Sequence, residues 1–358
     1  MIMKTKYLLV WLLLLPLYSQ AQEFRKYTNN FLYQGVDARG RAMGNAIASS
    51  SEDAFAGYWN PAGLVDVKKD QTQVGYVHVF DGLYNFDVVG VAFPTNKKHS
   101  FGLTGVRYGV DDIPNTIFLV DASGNINPDN ITTFSAADYG VFLSYARELT
   151  EQVSIGGSAK FVHRNVGEFA DAWGAGIDIG LKVRSLNERF KAAAFARDIF
   201  GTYTSWDFQF NDPQIISAFQ RTGNDLPEDG TIEATSPSLV LAANYLIGNG
   251  KFTVNPEINV DFTFDGERNT LLSSSAFSGD PHAGVEFGYE QQVFLRAGIN
   301  NVQEIRQETD FSTASWQLQP SVGGGLKLSN VEVDYALTQY DLREELTHLI
   351  AFKFGINK

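Results

Sequence analysis

The residues best suited to proton transfer or metal binding are His78, His99, His163, His282 and His348, and no cysteine exists to join them. None stands beside another histidine at metal-ligand spacing, so the pattern argues against a zinc site. Asp280-Pro281-His282 is the one local pairing a hydrolase could use, although such dyads assemble in space rather than along the chain. Gly323-Gly324-Gly325 has the small residues of a phosphate loop but lies in a strand-like run with no helix after it. Small residues there would instead leave room for a packed segment or relieve curvature. Neither an enzyme nor a cofactor is expected.

The first 21 residues carry Lys4 and Lys6, an apolar stretch from Tyr7 to Leu17, and Ser19-Gln20-Ala21 ahead of Gln22. This is the pattern of a cleavable Sec signal peptide, with a retained anchor as the alternative. The apolar stretch falls short of the roughly 20 residues that a membrane helix needs. With no cysteine after it, a lipid anchor is excluded, and so is a disulfide framework. The remaining 337 residues (358 minus 21) carry a net charge near -15, because the -13 of the whole chain loses Lys4 and Lys6. Such acidity disfavours nucleic-acid partners. No later run of apolar residues reaches helix-spanning length, so the chain either stays out of the membrane or crosses as strands.

Fourteen segments have strand character: 73–80, 86–94, 99–109, 139–147, 152–163, 173–183, 190–197, 239–247, 252–262, 282–290, 292–299, 320–328, 330–338 and 346–356. Phe252, Val254, Ile258, Val260 and Phe262 alternate with Thr253, Asn255, Glu257, Asn259 and Asp261, giving one apolar and one polar face. A soluble sandwich shows the same period, but with shorter strands. Every even-numbered connection is short and most odd-numbered ones are long. An even strand count with that rhythm is the signature of an all-β, 14-stranded antiparallel transmembrane β-barrel of the outer membrane, with the short turns on the periplasmic side. Its apolar faces meet outer-membrane lipid. Lys160, Asp178, Lys182, Glu257, Asp261, Glu286, Arg296, Glu332 and Asp334 then face the lumen, where charges can pair or meet water.

The expected organisation is therefore a signal peptide over 1–21, a lumenal plug over 22–72 and the barrel over 73–358. The plug reading rests on length and on the small residues of Val36–Ser50, which suggest one short helix containing Arg39 and Arg41. Asn60-Pro61-Ala62 then imposes a turned or extended backbone. Either arginine is a candidate partner for a lumen carboxylate. The alternative is an extension lying outside the barrel.

Gly40-Arg41-Ala42-Met43-Gly44-Asn45-Ala46, then Glu52-Asp53-Ala54 and Tyr58-Trp59-Asn60-Pro61-Ala62-Gly63-Leu64, resembles the N-terminal signature of the PorV/PorQ family, FadL-like barrels of Bacteroidetes. The likeness covers about 25 residues, and its Asn-Pro-Ala element is shared with FadL-type channels. The resemblance implies a plugged 14-stranded barrel of the type IX secretion system. A PorV-like barrel would bind secreted cargo or its C-terminal signal domain, and dock to an SprA-like translocon barrel and a PorU-like sortase at the cell surface. The alternative is a FadL-like channel for hydrophobic small molecules. That reading expects an apolar pocket near the extracellular mouth, a kink or opening in the wall and a movable plug.

Two long connections have content of their own. Ile117–Val120 within 110–138 suggests a small hairpin. In 198–238, Trp206, Phe208 and Phe210 precede a helix that Asp212 would cap, Pro213 would begin and Gly223 would end. Ile215, Ile216 and Phe219 would share one face of it. These six apolar residues are the candidate partner-binding surface, or else the underside of a lid.

Overall fold

A computed structural model describes residues 28–67, 71–80, 84–95, 98–120, 124–210, 213–222, 226–307, 310–339 and 346–357. The expected signal peptide lies outside these residues.

Alternation along the chain produces fourteen wall strands, each beside its sequence neighbour. They are β1 (Gln71–Phe80), β2 (Asn85–Pro94), β3 (His99–Asn115), β4 (Thr132–Glu148), β5 (Val153–Val166), β6 (Ala170–Arg184), β7 (Phe190–Arg197), β8 (Ser238–Tyr245), β9 (Phe252–Thr263), β10 (Ser278–Tyr289), β11 (Val293–Gln307), β12 (Asp310–Leu328), β13 (Val331–Gln339) and β14 (Leu346–Asn357). All pair antiparallel. β1 closes the ring on β14, in register from Gln71 opposite Asn357 to Phe80 opposite His348. Closure leaves no free sheet edge, which a bilayer requires. The fourteen strands read from the sequence correspond to these one by one.

Burial separates the two faces as the alternation requires. Trp173, Ile258 and Leu295 stand 60–66% exposed on the outside, while Lys160, Asp178, Lys182, Glu257, Arg296 and Asp334 are buried within. An apolar exterior over a polar interior is how a barrel meets lipid.

The upper parts of several strands run beyond their expected ends. β3 and β4 extend to Asn115 and from Thr132, so the connection around Ile117–Val120 is a shorter loop holding one isolated bridge, Val120 to Ile126. β11 and β12 likewise consume most of 300–319. Above the apolar belt a strand needs no lipid face, so its alternation fades while its ladder continues.

The largest departure is in β7. It resumes as β7′ (Thr202–Phe208), which pairs with the upper half of β6, and β8 is preceded by β8′ (Ile232–Thr235), which pairs with β7′. Trp206 and Phe208 are thus wall residues rather than loop residues. Between Ile179–Ala196 and Ala175–Tyr203, four steps along β6 face seven along its partner, leaving a bulge of three extra residues. Asp198 and Gly201 take positive φ there, and Phe200 projects outward, 68% exposed. The ladder is bridged rather than opened: Ile199 N–H donates to Ile177 O at 3.0 Å.

Candidate functional site

Residues 28–67 occupy the lumen. They touch inward-facing positions on strands all round the ring: Phe55 against Gly75 and Gly90, Leu64 against Gly102, Leu32 against Gly140, Pro61 and Ala62 against Gly156, Met43 against Gly284, and Ala42 against Gly323. Approach this close requires small residues on both sides, and Gly323 of the triple glycine serves this purpose. At Gly44 (φ +62°), a Cβ would lie 2.6 Å from the backbone nitrogen of Ile299.

Within the plug, helix α1 (Ala38–Ala42) is shorter than the Val36–Ser50 span suggests. Positive φ at Gly44 and Asn45 ends it. Asp37 caps it, accepting from Gly40 N–H at 3.3 Å and from Trp59 Nε1 at 2.6 Å. Helix α2 (Ala56–Trp59) places the Tyr58 and Trp59 rings edge to face, 5.0 Å apart. Asn60 organises the Asn-Pro-Ala turn. Its Oδ1 accepts from Ala62 N–H at 3.1 Å, its Nδ2 donates to Ala48 O at 3.1 Å, and Pro61 begins the 3-10 turn Pro61–Asp66.

The charges of the lower plug, towards the short-turn rim, meet the lumen wall. Arg39 pairs with Glu286 at 3.0 Å, and Arg296 joins Glu286 at 2.7 Å to Asp334 at 2.5 Å. Lys353 lies among Asp53 (3.0 Å), Glu332 (2.7 Å) and Asp334 (3.0 Å). Asp66 binds both Lys182 and Arg184 at 2.6 Å. Of the two candidate plug arginines, Arg39 reaches a lumen carboxylate, whereas Arg41 donates to Gln34 O within the plug. Polar groups buried this deeply must be paired, and here the pairing is also what holds the plug.

The upper plug is held by uncharged groups. Thr28 Oγ1 donates to Glu233 at 2.7 Å, and Asn29 Nδ2 donates to Thr204 at 3.1 Å and Thr235 at 3.0 Å. Tyr33 donates to Asp198 at the wall bulge, where Lys160 also pairs with Asp198 at 2.5 Å. Beside this segment lies a cavity of about 600 Å³, bounded by Thr28, Tyr33, Arg197, Asp261, Asp280 and His282 among others. It was hidden from sequence reading because the plug and five wall strands each supply a part. His282 stood out in the sequence, but as half of a dyad with Asp280. In the fold its Nε2 is 3.7 Å from Asp280 and 3.8 Å from Asp261, with no nucleophile assigned to it.

The mouth carries an aromatic ladder. Trp206 stacks on Phe208 (5.9 Å), Phe208 on Phe210 (5.8 Å), and Phe210 meets Phe219 (5.3 Å). Trp206 and Phe208 share the inward face of β7′ with Thr202 and Thr204, and Arg164 lies 5.1 Å over the Trp206 ring. Helix α3 (Pro213–Thr222) appears where the sequence placed it, while Asp212 and Gly223 lie outside the described residues. Ile215 is buried, and Ile216 and Phe219 are half-buried.

A closed, antiparallel, 14-stranded barrel around an internal N-terminal segment is an outer-membrane-type β-barrel fold. Among solved structures the chain is similar to FadL-family barrels. These include the Pseudomonas putida toluene transporter TodX (13% identity, 91% of this chain and 99% of that chain, TM-score 0.56), the monoaromatic hydrocarbon channel CymD (12%, 90% and 98%, 0.54) and a Pseudomonas aeruginosa FadL homologue (11%, 90% and 98%, 0.50). No protein-family model matches the sequence, and no curated protein matches it. The likeness is one of fold. The PorV/PorQ resemblance of the plug stays a resemblance.

Proposed function

We propose that this protein is an outer-membrane channel of the FadL type, taking up small molecules that have an apolar part. The observation that carries this reading is the aromatic ladder of Trp206, Phe208, Phe210 and Phe219 at the long-loop mouth, its first two rings on the inward face of β7′, in a barrel that also holds a cavity beside the upper plug large enough for a small molecule. Stacked rings in a water-facing mouth offer an apolar guest a surface to enter. The neighbours described as hydrocarbon channels support the same reading. The long-loop rim is then extracellular and the short-turn rim periplasmic.

Uptake of labelled toluene and oleate by a Gram-negative host lacking its own channel of this type tests the proposal. Expression should raise uptake, and Trp206→Ala with Phe208→Ala should lower it roughly three- to tenfold, as expected for the loss of aromatic contacts. Equal uptake by both at equal surface levels would sink the reading.

The run Gly40–Ala46 with Tyr58–Leu64 supports a second reading, a PorV-like docking barrel of the type IX secretion system. A lumen closed by paired charges suits a barrel used as a platform rather than a path. Gentle-detergent purification from native membranes should then recover an SprA-like translocon barrel, a PorU-like sortase or a secreted C-terminal signal domain. Recovery of the barrel alone, with those partners expressed, counts against it.

A further inference from the structure

One part of the wall is supplied by a loop. β9 ends at Thr263 and β10 begins at Ser278, and between them the chain forms a two-residue strand, β9′ (Leu272–Ser273), paired antiparallel with the top of β10. Phe262 of β9 and Leu272 of β9′ both stand opposite Gly279, one on each flank of β10. The flank that β9′ takes is the one β11 leaves, because the β10–β11 ladder reaches only to Ala283 opposite Ile299. Pro281, which has no N–H to donate, and Asn301, at φ +50°, stand at that break.

The loop has the two faces of a wall. On the lumen side Arg268, Asn269 and Thr270 bound the cavity beside the upper plug. The other side is apolar. Gly284 of β10 meets the plug, so Gly279, an odd number of residues away, points outward. A Cβ at Gly279 would lie 3.2 Å from both Phe262 and Leu272, and Phe277 meets the Phe262 ring edge to face at 6.0 Å. Leu272 and Phe277 are 44% and 40% exposed, despite this contact. Their carbonyls are already satisfied within the loop. Leu272 O accepts from Thr270 Oγ1 at 3.0 Å, and Phe277 O accepts from Ser274 N–H and Ser274 Oγ, both at 2.9 Å. Backbone that meets lipid has to be paired in this way.

Height decides what covers this surface. From Phe252 to Phe262 the outward face of β9 climbs ten residues at roughly 3.3 Å each, which at a tilt of roughly 40° gives about 25 Å, the height of an apolar band. Phe262 therefore lies at the upper edge of that band, with Leu272 and Phe277 beside it. We propose that the segment 272–277 is seated in the outer leaflet, where Phe262, Leu272 and Phe277 meet lipid at the boundary between head groups and acyl chains. The surface continues without a break from Ile258 and Val260, which face lipid below it. Left in water, three large apolar side chains would form an exposed cluster. The inference is independent of both the uptake and the docking readings.

The chain has no cysteine, so single-cysteine variants of the full-length barrel can each carry one nitroxide label. In phosphatidylcholine vesicles, electron paramagnetic resonance then compares collisions with oxygen, which partitions into lipid, and with a nickel chelate, which stays in water. Ile258→Cys on the lipid-facing wall and Ile126→Cys on the mouth loop, 60% and 72% exposed, set the two extremes. The oxygen-to-nickel ratio of Leu272→Cys and Phe277→Cys should lie nearer that of Ile258→Cys. Retained heat-modifiable migration on gels establishes folding, and Phe277→Cys decides the matter if Leu272→Cys does not fold. A ratio nearer that of Ile126→Cys overturns the proposal and leaves the loop in water, open to a protein partner. Few collisions with either reagent overturn it too, because protein, such as a second copy of the chain, then covers the site.

Discussion

The two ends of the plug are held by different chemistry. From Thr28 to Val36 the segment carries no charge, and its wall contacts come from Thr28, Asn29 and Tyr33. From Asp37 to Asp66 it carries Asp37, Arg39, Arg41, Glu52, Asp53 and Asp66, and four of these enter ion pairs with the wall. Coulomb attraction in a poorly hydrated interior is strong, and removing one partner strands the other. Hydrogen bonds between neutral groups, such as those of Asn29, are each worth about 1 kcal/mol net, and those of Thr28 and Tyr33 to the carboxylates of Glu233 and Asp198 about 1.5–3 kcal/mol. The lower plug is thus anchored by ion pairs, and the upper plug, beside the cavity, by hydrogen bonds alone.

Three substitutions bear on that contrast. Lys353→Met leaves Asp53 without its wall partner and strips one from Glu332 and Asp334. A loss of about 3–5 kcal/mol is expected, read as an earlier midpoint in denaturant unfolding of the barrel in detergent. A loss under about 1 kcal/mol would mean that charge does not anchor the lower end. Gly298→Ala presses a methyl group into the backbone of Met43 and Gly44. That overpacking should cost about 1–3 kcal/mol and expose the plug to added protease. An unchanged digestion pattern would show that the plug gives way without leaving. Asn29→Ala removes two neutral hydrogen bonds and should cost about 1–2 kcal/mol. Amide exchange over 28–36 should rise while exchange over 49–66 stays protected. Equal loosening of both segments would erase the distinction.

Much of this arrangement could be read from residue order. The wall was legible wherever lipid on one side and lumen on the other forced alternation, as in Phe252–Thr263. It was not legible above the belt, where β7′ lacks that constraint and Trp206 looks like a loop residue. The triple glycine and the small residues of the plug signalled close approach but not which surfaces meet. That Arg39 rather than Arg41 finds a wall carboxylate depends on the rotation of a five-residue helix, which no pattern specifies. The cavity lay furthest from view, because Tyr33, Arg197, Asp261 and His282 become neighbours only once the ring closes.

Ring closure itself involves the plug. Phe55 rests on Gly75 of β1, and Asp53, two residues earlier, holds Lys353 of β14. β1 and β14 are the strands whose pairing shuts the wall. The inner segment therefore works as a clasp across the seam of the hoop it fills. A plug pulled free at Asp53–Phe55 would unfasten the wall from within, so unblocking the lumen at that point and loosening the barrel are a single mechanical event.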